Sequence, residues 1–200
     1  AGNMDVRVWT TANGAVRFVI KHGHEGDVNA VAISGDGSTV ATASEDYTVR
    51  VWRLTAAAAA AAPPTLAKVL RGHTASVWSV ALSFDGRCAV SGASGQGAAR
   101  VWRTDAADET STVVLPLGEG ETVWGVAMSA DGRWAVTRSS GPVAYVWNAQ
   151  TGKNVSVLEG HTDDVNAVGV SGDGSLAVTA SQDRTARVYD ARTGVVRLVL

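Results

Sequence analysis

The stretch GHEGDVNAVAISGDGSTVATASEDYTVRVW, residues 23–52, sets the pattern that organises the whole chain. It joins a Gly-His pair, an alternating apolar pattern, an Asp-Gly pair and a closing Arg-Val-Trp. Three further copies follow: GHTASVWSVALSFDGRCAVSGASGQGAARVW (72–102), GEGETVWGVAMSADGRWAVTRSSGPVAYVW (118–147) and GHTDDVNAVGVSGDGSLAVTASQDRTARVY (160–189). The closing aromatic residues stand 50, 45 and 42 positions apart, so the chain is a series of repeats with a period near 45.

Each copy has the pattern of short antiparallel strands joined by tight turns. In the first copy VNAVAI alternates as a half-buried strand does, and Asp36-Gly37 follows it. Asp-Gly accepts the positive φ of a tight hairpin, so we expect a hairpin there. A second, a third and a fourth strand pattern complete the copy, and DVRVW at 5–9 is the tail of an earlier one. Four antiparallel strands per repeat predict an all-β chain built of β-propeller blades.

The Gly-His opening, the Asp-Gly turn and the closing Arg-Val-Trp resemble the WD-repeat propeller family across essentially the whole chain. The resemblance implies four complete repeats and a partial one, which we divide as follows: 1–22, outer strands of a partial blade; 23–71, a repeat with an Ala-rich insertion at 56–62; 72–117 and 118–159, degenerate repeats; 160–200, a further repeat. Seven blades are common in this family. We therefore expect a larger ring, completed by sequence beyond these residues or by another chain.

The family resemblance also implies a hydrogen-bonded set, here called the strut, of His, Ser or Thr, Asp and Trp in each blade. Its expected members are His24, Thr42, Asp46 and Trp52 in the first copy, His73 and Trp102 in the second, Thr137 and Trp147 in the third, and His161, Thr179, Asp183 and Tyr189 in the fourth. Gly92 and Gln96 are assigned to the hydroxyl and carboxylate positions of the second copy, and Glu119 and Gly141 replace His and Asp in the third. A weaker middle of the molecule is the expectation. We interpret these residues as structural, because no nucleophile repeats beside the His-Asp pairs.

The same resemblance implies that partners bind the rim bearing the Gly-His loops and the turns between second and third strands. The candidate partner-binding residues are Asp27, Asn29, Glu45, Ser76, Trp78, Thr122, Trp124, Asp164, Asn166 and Gln182. Trp78 and Trp124 occupy equivalent positions where the outer copies carry Asn. Two interpretations stay open for them: exposed anchors of a partner, or packing between blades. Acidic side chains on this rim favour a partner with a basic segment.

Composition narrows the function classes. Seventeen basic and nineteen acidic residues give no strong pull toward nucleic acid or anionic membranes. Cys88 stands alone, which excludes an internal disulfide and favours a reducing compartment. No signal peptide opens the chain and no apolar run approaches the ~20 residues of a membrane helix, so we expect a cytoplasmic protein, with cytoskeletal or ciliary association as an option.

The function that these patterns favour is a non-catalytic scaffold for protein–protein interaction, with no cofactor and no metal site. Alternatives are a subunit or sensor region of a larger assembly, such as a ubiquitin-ligase receptor, a cytoskeletal or ciliary complex, or a signalling ATPase. An enzyme that uses the propeller channel is disfavoured, because the first strands offer Val, Ala, Ile, Leu, Met, Ser and Gly rather than acids, bases or metal ligands.

Overall fold

The computed structural model describes residues 5–21, 23–54, 63–106 and 112–200, and the Ala-rich insertion at 56–62 lies outside these ranges. Within them the regular elements are strands, grouped into one two-stranded and four four-stranded sheets. Neighbouring strands are antiparallel in every sheet. The prediction of an all-β chain of four-stranded antiparallel blades is confirmed.

We name the sheets blades A to E in chain order. Blade A holds β1 (Val6–Trp9) and β2 (Val16–Ile20). Blade B holds β3 (Val28–Ile33), β4 (Thr39–Ser44), β5 (Val49–Arg53) and β6 (Thr65–Leu70). Blade C holds β7 (Val77–Leu82), β8 (Cys88–Ala93), β9 (Ala98–Arg103) and β10 (Thr112–Pro116). Blade D holds β11 (Gly125–Met128), β12 (Trp134–Arg138), β13 (Ala144–Asn148) and β14 (Asn154–Leu158). Blade E holds β15 (Val165–Val170), β16 (Leu176–Ser181), β17 (Ala186–Asp190) and β18 (Val196–Val199).

The hairpin between the first and second strands has the same internal hydrogen bonds in all four complete blades. In blade B the Asp36 carboxylate accepts from the Ser34 hydroxyl at 2.6 Å and from the Ser38 backbone N–H at 2.9 Å. Gly37 follows with φ of 70°, a conformation that an L side chain adopts only with strain. Equivalent turns form at Asp85, Asp131 and Asp173. The repeated Asp-Gly pairs therefore fix where each chain reversal occurs.

Apolar side chains hold successive blades face to face. Between blades B and C, Val49, Val51 and Leu70 pack in one cluster with Val77 and Trp102. Corresponding clusters join blade C to D, D to E, and A to B. Burial of such residues contributes about 25 cal/mol per Å² of apolar surface, so the blade-to-blade faces carry much of the stability. The blades thus form a stack in which each inner face is covered by the next blade.

Candidate partner-binding rim

The strut of blade B is a continuous chain of hydrogen bonds. His24 Nδ1 lies 2.8 Å from Asp46 Oδ2, and its Nε2 lies 2.6 Å from Thr42 Oγ1. Thr42 Oγ1 also accepts from the Trp52 indole N–H at 3.1 Å. A carboxylate can only accept, so Nδ1 carries the proton and Nε2 accepts from the threonine hydroxyl. One tautomer therefore satisfies all four side chains.

The electrostatics of this strut agree with a neutral imidazole. Burial lowers the pKa of His24, against the opposing influence of Asp46. Burial by itself would raise the pKa of Asp46, but hydrogen bonds from Thr48, His24 and the Glu25 backbone N–H bring it down to about 2. The His24 ring is buried and engaged at both nitrogens, so it is unavailable as an acid or base toward a substrate.

Blade E repeats this arrangement with one change. His161 lies 2.8 Å from Asp183 and 2.6 Å from Thr179, the same distances as in blade B. A hydrogen bond from Thr185 is the main reason that the pKa of Asp183 lies well below its usual range. Tyr189 stands in the tryptophan position, and its hydroxyl donates to the backbone carbonyl of Glu159 at 3.1 Å. The longer reach of the phenol ties the strand to the loop before the Gly-His pair.

Blade C corrects the assignment of Gly92 to the hydroxyl position. The residue that meets the histidine is Ser91, whose Oγ lies 2.7 Å from His73 Nε2 and accepts from Trp102 Nε1 at 2.8 Å. Ser91 follows His73 by eighteen positions, as Thr42 follows His24, and one extra residue lies in the turn beyond it. Counting forward from the histidine, rather than back from the tryptophan, finds the correct residue. Blade C therefore keeps its His, hydroxyl and Trp, and the expectation that it loses the hydroxyl is wrong.

Gln96 changes the state of the histidine in blade C. When the amide oxygen accepts from the backbone N–H groups of Thr74 and Ala75, the amide nitrogen donates to His73 Nδ1 at 3.1 Å. The proton of the neutral ring then sits on Nε2 and points to Ser91, the reverse of blade B. Burial is the main reason that the pKa of His73 falls to about 4, with the charge of Arg100 adding to it.

Blade D retains the smallest part of the strut. Trp147 Nε1 donates to Thr137 Oγ1 at 2.8 Å, while Glu119 is exposed in the histidine position. Gly141 occupies the carboxylate position with φ of 100°, and its N–H donates to Asp164 Oδ1 of the next blade at 3.0 Å. The turn of blade D is thus tied to blade E instead of to a histidine of its own blade.

The structure brings the candidate partner-binding residues to one end of the blades. Backbone hydrogen bonds join the Gly-His loop to the turn after the second strand in blades B and E, from Glu45 N to Asp27 O at 3.0 Å and from Gln182 N to Asp164 O at 2.9 Å. Ser94 N donates to Ser76 O in the same way in blade C. Exposure then separates the candidates. Asp27, Glu45, Trp124, Asp164, Asn166 and Gln182 are exposed, whereas Asn29, Ser76, Trp78 and Thr122 are half-buried.

The half-buried members of the rim make contacts between neighbouring blades. The Asn29 amide of blade B donates to the Val77 carbonyl of blade C at 3.2 Å. Thr122, in the loop that leads into blade D, accepts from the Gly95 N–H at 2.9 Å. These two residues therefore have a structural contact whether or not a partner also touches them.

The two rim tryptophans touch each other but differ in exposure. Their ring centroids lie 5.6 Å apart with the planes tilted by 46°. Trp78 is half-buried, and its indole N–H has no hydrogen-bond partner among the described residues. Trp124 is 41% exposed. Trp78 thus packs against Trp124, and Trp124 is the more exposed of the two rings.

A cleft of about 340 Å³ opens beside Trp124, between blades D and E. Arg138 lines it together with Ser139, Ser140 and Asp164. Sequence reasoning missed Arg138, although a signal was present: the equivalent second-strand positions hold Ala43, Gly92 and Ala180. An arginine that replaces a small residue in only one repeat makes Arg138 a candidate functional residue.

No group of three or more His, Cys, Asp or Glu side chains is placed to hold a metal ion in the part of the chain that the structure describes. The same described ranges contain no helix that is long and apolar enough to span a membrane.

Comparisons with known proteins agree with this architecture. The family model "WD domain, G-beta repeat" matches residues 16–53, 64–103 and 152–190, more than half of the chain. The chain is 38% identical over 81 residues to "Small ribosomal subunit protein RACK1" of Dictyostelium discoideum, covering 40% of this chain and 24% of that protein. It is 46% identical over 50 residues to "Small ribosomal subunit protein RACK1y" of Oryza sativa subsp. japonica, covering 25% of this chain and 15% of the relative. The matches therefore span less than a quarter of either relative's length.

Proposed function

The chain belongs to the WD-repeat family, and from that membership we propose that it is a non-catalytic scaffold that binds other proteins on the rim described above. The observation that carries the proposal is Trp124, a large aromatic side chain held at the rim by Trp78 with 41% of its surface exposed. A supported aromatic ring that keeps an N–H donor is the typical anchor of a protein interface. The strut histidines favour a scaffold over an enzyme, since each is buried and hydrogen-bonded at both ring nitrogens.

The charges of the rim favour a partner with a basic segment. Exposed carboxylates on this face belong to Glu25, Asp27, Glu45, Glu119, Asp163 and Asp164. None of them forms an ion pair within 4.0 Å in the described ranges. Lys21, Arg71 and Arg184 are the exposed basic residues of the same loops in the described ranges. The excess of unpaired acids would attract a basic segment and speed its association at low salt.

The cellular setting is proposed from the two relatives. Both relatives carry a name that places them in the small ribosomal subunit. We therefore favour a cytoplasmic protein whose partner is part of a larger assembly. The remaining blades of the larger ring stay a prediction, to be supplied by further sequence or by another chain.

The decisive experiment compares two exposed tryptophans. Proteins that co-purify with the chain from its native cells should be lost with Trp124→Ala and retained with Trp9→Ala, because Trp9 is 54% exposed but lies on β1, away from the rim. With a purified partner, the first variant should weaken binding about thirtyfold or more, as expected for an interface anchor. Rising salt should weaken binding by the wild type.

Retention of every partner by Trp124→Ala would refute the proposal. Equal loss with both variants would refute it too, because binding would then depend on exposed aromatic surface in general. Unfolding transitions of both variants close to that of the wild type are the necessary control.

A further inference from the structure

Arg138 lies opposite a glycine, which leaves space for its long side chain. At this second-strand position the other complete blades hold Ala43, Gly92 and Ala180, which pair across the sheet with Ala30, Ser79 and Ala167. In blade D the pair is Arg138 and Gly125. A Cβ added to Gly125 would lie 2.8 Å from Arg138 Nε and 3.1 Å from its Cγ. The arginine stem therefore crosses the strand at the one residue that has no side chain.

The guanidinium that results is partly desolvated and unpaired. Burial lowers the pKa of Arg138, and the nearby charge of Asp164 opposes that shift. Arg138 Nε is shielded from solvent and has no hydrogen-bond partner in the described part of the chain. No described carboxylate lies within 4.0 Å of the group, which is also true of the third-strand arginines Arg100 and Arg187. A desolvated positive charge without a partner is costly, and an incoming anion removes that cost.

The walls of the cleft suit a carboxylate. Ser140 and Asn166 line it and can donate hydrogen bonds, whereas the Ser139 hydroxyl donates to the Ser140 carbonyl at 3.4 Å; Trp124 lines the cleft with an apolar ring. The Gln182 amide donates to Asn166 Oδ1 at 3.4 Å, which leaves the Asn166 amide hydrogens available as donors. Asp164 is the one acid among the described residues that line the cleft; it is exposed to water and accepts from the Gly141 N–H. A planar carboxylate matches the paired N–H groups of a guanidinium.

We propose that this cleft receives the carboxylate of an aspartate or glutamate side chain from the protein partner, next to the residue that packs on Trp124. This proposal rests on the proposed function. It adds a charge pattern that the bound segment of the partner should have. Basic residues of the bound segment face the acidic rim, and a single acidic side chain enters between blades D and E. The carboxylate then fixes the position of the segment along the rim.

The test uses the whole 200-residue chain and three capped amino acids as probes: the N-acetyl α-amides of glutamate, glutamine and lysine. Binding is followed by NMR through the Trp124 indole N–H and the Gly141 backbone N–H. The glutamate probe should shift both signals in a saturable manner, and glutamine, its neutral isostere, should bind about tenfold more weakly. Preferential binding of the lysine probe would overturn the proposal, because the cleft would then bind cations through Asp164.

Two variants examine the charge directly. Arg138→Ala should abolish the difference between the glutamate and glutamine probes; it introduces the residue that blades B and E already carry, so the sheet should still form. Asp164→Asn removes a like charge and should tighten the glutamate probe about threefold. Unchanged glutamate binding in Arg138→Ala would overturn the proposal. Failure of Trp124→Ala to release partners would instead count against the rim as the docking face, and the probe selectivity of the cleft would be unaffected.

Discussion

Blades B and D show two ways to hold a sheet of the same repeat. Blade B has the complete strut, in which His24, Thr42, Asp46 and Trp52 satisfy one another. Blade D keeps only the bond from Trp147 to Thr137. The family model matches blade B and passes over residues 104–151, which contain most of blade D. Blade D is also the blade that exposes Trp124 and carries Arg138. The repeat whose sequence departs furthest from the pattern thus holds the best candidates for recognition.

Packing explains how blade D remains a sheet with so little of the strut. Trp147 is 3% exposed and lies in one apolar cluster with Val101 and Leu115 of blade C. In blade B the corresponding Trp52 is also buried, but a histidine ties its hydroxyl partner to the turn. We infer that the stability of blade D depends mainly on packing of its tryptophan ring. The stability of blade B depends both on packing of its tryptophan ring and on the hydrogen bonds of the strut.

The largest effect should come from Trp147→Ala. Removing a buried tryptophan leaves a cavity between blades C and D, and we expect the free energy of unfolding to fall by about 3–5 kcal/mol. Trp9→Ala is the matched control, since Trp9 holds the same position in blade A but is 54% exposed, and it should cost less than about 1 kcal/mol. Urea unfolding midpoints measure both. Similar losses in the two variants would mean that blade D does not rely on its tryptophan.

A pH-dependent loss of stability should arise in blade C and be absent from blade D, which has no histidine at the equivalent position. The unfolded state binds a proton near the ordinary histidine pKa of 6.5, and folded His73 binds one only near about 4. Its contribution is therefore complete above pH 6.5 and declines as the pH falls toward 4, by about 3 kcal/mol at most. The lowered pKa of His24 acts in the same direction.

Hydrogen exchange, corrected for the intrinsic pH dependence of the amide rate, should show this decline in β8 and β9 before it appears in β12 and β13. His73→Gln should reduce the pH dependence of stability between pH 6.5 and 4 and leave the smaller part that arises from His24. Unchanged protection of β8 and β9 across this interval would show that protonation of His73 is not coupled to unfolding.

The smallest expected effect is the difference in stability loss between Thr42→Val and Thr137→Val, the two strut hydroxyl positions. Thr42→Val leaves both the His24 ring nitrogen and the Trp52 N–H without a partner, so we expect a loss of about 2–3 kcal/mol. Thr137→Val leaves only the Trp147 N–H without a partner and should lower the free energy of unfolding by about 1 kcal/mol. Valine keeps the shape of threonine, so packing is the same in both variants. If Thr137→Val lowers the free energy of unfolding as much as Thr42→Val does, the inferred difference between the two blades is wrong.

Local patterns in the sequence were sufficient for the strands and the turns. Alternating residues and Asp-Gly pairs act through backbone conformation over a few residues, so they predict the same local structure in every copy. The strut of blade C was misread because one extra residue in the turn after Ser91 shifts the spacing, and strand pairing rather than spacing decides which side chain meets His73. Spacing along the chain is a poor guide wherever a turn changes length.

The sequence by itself determined the all-β architecture, the repeat and the family, because each depends on short-range backbone preferences that recur four times. Only the tertiary structure decided which rim residues face solvent. Trp78 and Trp124 occupy equivalent positions in the repeat, yet Trp78 is half-buried and Trp124 is exposed, because exposure depends on how neighbouring blades pack. The same holds for Arg138, which lines a cleft with Asp164 of the next blade but forms no ion pair within 4.0 Å in the described ranges, because these positions depend on how blades D and E pack.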